Sequence, residues 1–172
     1  DLHHLLEKQQ FSTVTVKADE LNRELGDRLS ALGRISSLLT GVELANVEGI
    51  SAFLEARAVL LSQFNGGVVI LGPDGVVRVE VPRPAQRLGA SYQSIEGVSD
   101  AFVKGQSTIS RIFLDGKLKA PVFAMTVPIR DAQGTVIGAL LGMTILNQRN
   151  FLDQVTESYY GNSGYFLLVE PA

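Results

Sequence analysis

Along the first quarter of the chain, apolar residues fall at Val14, Ala18, Leu21, Leu25, Leu29, Leu32, Ile35 and Leu39, with gaps of three or four. That spacing is the period of a helix with one buried stripe, close to a heptad repeat. It predicts a helix over residues 12–40, with Ser12 or Thr13 as cap and Glu20 and Glu24 in the early turns. At ~1.5 Å per residue such a helix is roughly 43 Å long, more than a small core requires. It reads either as a core helix with a fraying end or as the continuation of a membrane anchor that pairs with its twin in a dimer.

Gly41 breaks the pattern, and Phe53, Leu54, Val59, Leu60 and Leu61 mark a second helix over 50–63 that stops at Asn65-Gly66-Gly67. The period then becomes that of strands. Val68-Val69-Ile70-Leu71 leads through the turn Gly72-Pro73-Asp74-Gly75 into a return strand over 76–81, ended by Pro82 and Pro84. Residues 83–106 are irregular around a short helix over 95–104. A β run over 107–113, a turn at Asp115-Gly116 and a strand over 121–127 follow. The stretch from Pro128 to Leu146 is a hairpin closed by Gly134, its return strand so apolar that it must be buried. A helix over 150–159 and a lone strand over 164–169 end the chain; that strand echoes the one at Val68 and reads as the start of a second, similar unit.

Helices segregated to the faces of antiparallel neighbours make an α+β protein: a long N-terminal helix packed on a central five-stranded antiparallel sheet, with the 83–106 excursion folded over the other face. The expected organisation is a helix over 1–40, a compact module over 41–160 and the start of a truncated second module over 161–172.

Composition removes several functions. The 172 residues are 45% hydrophobic, enough for one real core, and carry a net charge of −3 without basic runs, so nothing resembles a nucleic-acid footprint. Cysteine is absent and the two histidines, His3 and His4, sit at the extreme N-terminus. Nucleophilic triads and histidine- or cysteine-ligated metals therefore have no candidates in the body of the chain, and no phosphate-binding glycine loop is present. No enzyme, metal or cofactor is expected. The longest apolar run, Gly138 to Met143, is too short to cross a bilayer, and the helix-like opening at Asp1 suggests a piece of a larger protein whose membrane segments lie elsewhere.

A pocket is the better prospect. Alternation puts Ile109, Arg111 and Phe113 on one face of their strand, groups Phe123, Met125 and Val127 in the next, and Leu141, Met143 and Ile145 in the last. Arg111 is the odd member. Either it points to solvent at the sheet edge, or it offers a guanidinium to an anion in a concave site. Arg87 and Tyr92, in the excursion, are placed to close over such a site. The candidate ligand residues are thus Arg87, Tyr92, Arg111, Phe113, Phe123, Met125 and Met143.

The segments Phe64 through Gly75, Leu88-Gly89-Ala90-Ser91-Tyr92 and Pro128 through Leu146 resemble the membrane-distal module of a double-Cache domain. Such PAS-like domains are extracytoplasmic sensors of bacterial chemoreceptors, histidine kinases and diguanylate cyclases. The resemblance spans essentially the whole chain, residues 161–171 resembling the entry to a membrane-proximal module. It implies a periplasmic part of a membrane-anchored signalling protein, sensing a ligand in its distal pocket. In the amino-acid-sensing branch an Arg-x-Trp-Tyr segment clasps the carboxylate, and tyrosine and aspartate hold the ammonium. Here Arg87 and Tyr92 occupy the corresponding segment with different spacing, no tryptophan exists, Phe113 takes an aromatic position with Asp115 beyond it, and Met143 stands at the strand aspartate. Loss of that acid predicts that α-amino acids are not bound.

The expected function is therefore a sensor module for a small molecule, a small organic anion or an apolar metabolite, that relays occupancy through the long helix. A ligand-free structural or dimerisation module of the same receptor is the alternative. A homodimer through the N-terminal helix is the expected protein partner.

Overall fold

The computed structural model describes residues 2–82 and 86–152; the expected helix over 150–159, for the most part, and the strand over 164–169 lie outside them. The chain divides into two compact units, one of residues 1–28 with 151–172 and one of residues 29–150. Helix α1 is Leu2–Leu38. It starts well before the expected residue 12 because residues 2–11 contain no glycine or proline and several strong helix formers.

In the first unit Leu21, Leu25 and Leu152 are buried. Arg28 pairs with Glu24 at 2.5 Å and lies 3.7 Å over the Phe151 ring, a cation–π contact.

The second unit holds the rest. Helix α2, Val47–Glu55, is capped by the Asn46 side chain, which accepts from the Gly49 N–H at 3.2 Å. Helix α3 is Ala58–Ser62. The single helix expected over 50–63 is thus two. Arg57 leaves helical geometry at φ −105°, ψ 62°, while its guanidinium bonds the Phe53 carbonyl and stacks on the Phe53 ring.

Strands β1 (Val68–Leu71) and β2 (Val77–Val81), helix α4 (Val98–Lys104), then β3 (Thr108–Ile109), β4 (Phe113–Asp115), β5 (Ala120–Arg130) and β6 (Val136–Ile145) complete the fold. The sheet order is β2-β1-β6-β5-β3, with β4 also on β5, and every pairing is antiparallel. The α+β architecture is as expected. The run expected over 107–113 divides into β3 and β4 along one edge, so the five positions across the sheet hold six strands.

The register decides the two faces. Ala124 stands opposite Met143, and Leu71 opposite Ala139, so these residues share one face with Val69, Val122, Leu141 and Ile145. Val98, Tyr92 and the half-buried Ile95 and Phe102 of the excursion cover it. On the other face Phe64 packs against β6 at Gly142, and Leu44 lies against Gly138. There Leu32, Leu39, Ile50 and Leu54 are buried, and the Ser36 hydroxyl donates to the Pro128 carbonyl. Each such leucine contributes roughly 1.5–3 kcal/mol by leaving water.

A Cβ at Gly142 would lie 2.5 Å from the buried Phe64 ring, whereas one at Gly33, in α1, meets nothing within 4 Å. Gly142→Ala is expected to destabilise the fold by about 1–3 kcal/mol, and Gly33→Ala to stabilise it by about 0.5–1 kcal/mol. Urea denaturation of the two variants checks both signs.

Candidate ligand site

The excursion is tied to the open edge of β2. The Val77 N–H donates to the Ala90 carbonyl at 2.9 Å, the Gly89 N–H to Val77 at 3.0 Å, and the Tyr92 N–H to Gly75 at 2.9 Å. Further along β2, Glu80 and Arg87 form a buried ion pair, their side chains 0% and 2% exposed. Arg87 Nε donates to Glu80 Oε2, and the Arg87 backbone N–H is shared between the two carboxylate oxygens at 3.0 and 3.1 Å. Both Glu80 oxygens are therefore engaged by one residue.

A second buried link closes the far side. The Tyr92 hydroxyl donates to Asp115 Oδ2 at 2.8 Å, and Asp115 Oδ1 accepts from the Lys117 and Leu118 N–H groups at 2.8 and 2.9 Å. Burial, then the adjacent Asp115 carboxylate, pushes the Tyr92 phenol well above its ordinary value of 10. The hydroxyl is thus a fixed donor, and Asp115 accepts from three donors within the protein.

Arg87 also lines a cleft of about 310 Å³, with Lys117, Asn65, Gly66, Ile145 and Gln148 among its other walls. Asn65 fastens the end of β6: its Oδ1 accepts from the Ile145 N–H at 2.6 Å, and its Nδ2 donates to the Ile145 and Arg149 carbonyls, both at 3.0 Å.

Arg87, Tyr92, Phe113 and Met143 gather on the excursion-covered side of the sheet, Met143 fully buried and Phe113 half-buried. The other three candidates do not join them. Phe123 pairs with Thr144 and Met125 with Gly142, which places both on the helix-covered face, opposite Met143. Alternation within a strand groups residues but does not say which group faces a neighbouring strand's group; only the register does. Arg111 falls in the break between β3 and β4, its side chain 68% exposed and 3.7 Å from Glu96, so it faces solvent.

Glu80 and Asn65 were missed. In Val-Arg-Val-Glu-Val strict alternation sends Glu80 outward with Arg78, but a bulge between Ile70 and Leu71 in the β1–β2 pairing turns Val77 and Glu80 to the same side. Asn65 carried a weak signal as an amide beside the glycines that open β1.

Glu80→Ala strands a buried guanidinium and is expected to cost about 3–5 kcal/mol in urea denaturation; a loss below about 1 kcal/mol contradicts the pairing. The Tyr92 shift also has a sign. Its folded value is raised, so its contribution is full below about pH 10 and is lost as pH climbs through the folded value. In a tyrosinate absorbance titration, one of the four tyrosines is expected to ionise late, together with unfolding, and Tyr92→Phe to remove that phase.

No family model matches the chain, and no curated protein matches it. Solved structures do. The chain is similar to the ligand-binding domain of the Pseudomonas aeruginosa PAO1 amino acid chemoreceptor PctB in complex with L-Arg, at TM-score 0.72 and 19% identity over 91% of this chain and 58% of that one. The corresponding domain of PctC, in complex with GABA, gives 0.67 and 20% over 95% and 66%. An extracellular ligand-binding receptor from Desulfohalobium retbaense DSM5692 gives 0.71 and 18% over 89% and 26%. The chain thus spans from about a quarter to two thirds of these structures. The helix-backed antiparallel sheet with its covered face has the PAS-like Cache fold of extracytoplasmic ligand-binding domains.

Proposed function

We propose that this chain is the extracytoplasmic sensor part of a bacterial transmembrane signalling protein and binds a small molecule on the excursion-covered side of its sheet. The observation that carries this reading is the buried, charged Arg87 of the tethered excursion in the wall of an open cleft. Relay through α1 belongs to the same proposal, supported by its length of 37 residues. A ligand that prefers one position of the excursion shifts the population of states that α1 reports. The output domain is of the kinase, chemoreceptor or diguanylate cyclase/phosphodiesterase kind, and homodimerisation through α1 belongs to the same proposal. No described helix is long and apolar enough to cross a membrane.

The ligand is not an α-amino acid. An ammonium group needs an unspent acceptor in a desolvated site. Met143 offers none, and Asp115 already accepts from three donors. One observation favours the second reading, a ligand-free structural module. Tyr92, Val98 and Ala101 are buried and leave the apolar face beneath them filled.

A thermal-shift screen separates the two. A sensor is stabilised by mass action, by about 2.7 kcal/mol at a hundredfold excess over Kd. Carboxylates, polyamines and nucleobases form the panel, with the proteinogenic amino acids beside them. At least one non-amino-acid class is expected to raise Tm. Tight calorimetric binding of an α-amino acid overturns the ligand assignment, and a flat response to every class overturns the sensor reading.

A further inference from the structure

We propose that the groove where the α1–α2 loop, the β1–β2 turn and the β5–β6 turn converge is a docking site for another protein, one that presents a lysine or arginine between apolar side chains. None of the residues of the cleft beside Arg87 lines it, so this site stands apart from the sensor reading. The groove has a volume of about 340 Å³, and Val42, Leu44, Pro73 and Ile137 form its apolar floor. Pro73 is exposed and the other three are half-buried, which leaves that floor open to solvent. An apolar patch rimmed by polar groups is the usual form of a protein contact surface.

The fold holds the groove in shape. Leu44 enters the space left by Gly138, where a Cβ would lie 2.7 Å from Leu44 Cδ1. The Gly75 N–H closes the turn at Pro73 by donating to the Gly72 carbonyl, and the Gly134 N–H closes the next by donating to the Asp131 carbonyl, each at 3.0 Å. A surface fixed before contact loses little entropy on binding.

Charge selects the occupant. Glu43 and Asp131 line the groove, and no basic side chain does among the described residues. The Glu43 side chain is exposed and makes no hydrogen bond or ion pair within the described residues. Asp131 Oδ1 accepts from the Gln133 and Thr135 N–H groups, both at 2.9 Å, which leaves Oδ2 for a partner. The nearby Asp74 is paired with Arg78 at 3.1 Å, and Arg130 is turned to the Gly105 and Gly134 carbonyls. A cation flanked by apolar side chains therefore satisfies rim and floor together. The chain's own C-terminal residues 153–172 do not, since they hold Asp153, Glu157 and Glu170 and no lysine or arginine. A second copy docked about a twofold axis sets Glu43 and Asp131 against like charges. An anionic lipid surface meets the same repulsion.

The test is NMR chemical-shift mapping of the whole chain, titrated with three capped tripeptides: Leu-Lys-Leu, Leu-Glu-Leu and Gly-Lys-Gly. Leu-Lys-Leu is expected to shift the amides of 41–44 and 131–137 with a Kd of about 1 mM, and the other two to bind about fivefold more weakly or worse. Asp131→Asn keeps the Oδ1 acceptor and removes the charge, while Glu43→Lys reverses an exposed one. Each is expected to weaken Leu-Lys-Leu about two- to fivefold, the size of an exposed ion pair, and Glu43→Lys to strengthen Leu-Glu-Leu. Equal binding of the lysine and glutamate peptides overturns the proposal, as do variants that leave Leu-Lys-Leu unaffected. Shifts confined to the cleft beside Arg87, or no shift with any peptide, overturn it too. Self-association of the chain that Glu43→Lys abolishes assigns the groove to a second copy instead.

Discussion

The buried pair of Glu80 and Arg87 is the constraint on which the covered face of this domain depends. Strand β2 is an edge, and an open edge seeks a partner. The excursion covers it with hydrogen bonds at Val77, Gly75 and Gly89. Those alone make a short, frayed ladder. What fixes the continuation is a carboxylate that binds the Arg87 side chain and its backbone N–H together, so that moving the segment means breaking a desolvated ion pair. Such a pair adds little net stability against a well-packed apolar alternative, yet it penalises every other placement of the excursion severely. Its contribution is specificity of position, and that is what a site wall requires.

The second link has the same character. Tyr92 and Asp115 join the excursion to the β4–β5 corner, and Asp115 also organises that corner through two backbone N–H groups. A carboxylate with three donors is a structural anchor, poorly suited to receive a cation. Its neighbour across the sheet face is the apolar set of Met143, Leu141 and Ala124. The acid chemistry of this face is therefore spent on holding the fold, and the unspent polar capacity is a donor, Arg87 Nη1. Similarity to the domains in complex with GABA or L-Arg concerns the scaffold.

Much of this was legible in the sequence, for identifiable reasons. The stripe Leu21, Leu25, Leu32, Leu39 marked the buried side of α1 because helical period survives any tertiary context. The hairpin from Pro128 to Leu146 was readable because a central strand buried along most of its length is apolar at nearly every position, whichever face is which. Site residues were harder. Phe123 and Met125 were grouped with Met143 because period 2 fixes faces within a strand, while the register between β5 and β6 is set by the turn and its bulge at Ile129 and Arg130. Glu80 was hidden by another bulge. Arg87 and Tyr92 lie in the excursion, as its position in the chain order indicated, and Arg111 takes the solvent-facing one of its two open readings, in the break between β3 and β4.

These details bear on how occupancy would be passed on. A ligand changes a conformational equilibrium only by the difference in its affinity for the two states. The wholly buried face beneath Tyr92 and Val98 offers little difference, since its packing tolerates few alternatives. The cleft is different. One wall is the pinned Arg87, and the other is Asn65 and Gln148 by the end of β6, where Asn65 makes two hydrogen bonds to Ile145 and one to Arg149. Each of those bonds is worth about 1 kcal/mol, comparable to what a small ligand supplies, whereas the ion pair opposite is several-fold stronger. A molecule lodged between a fixed wall and a compliant one moves the compliant one. The exit of β6, which carries the chain onward from the sheet, is on the compliant side.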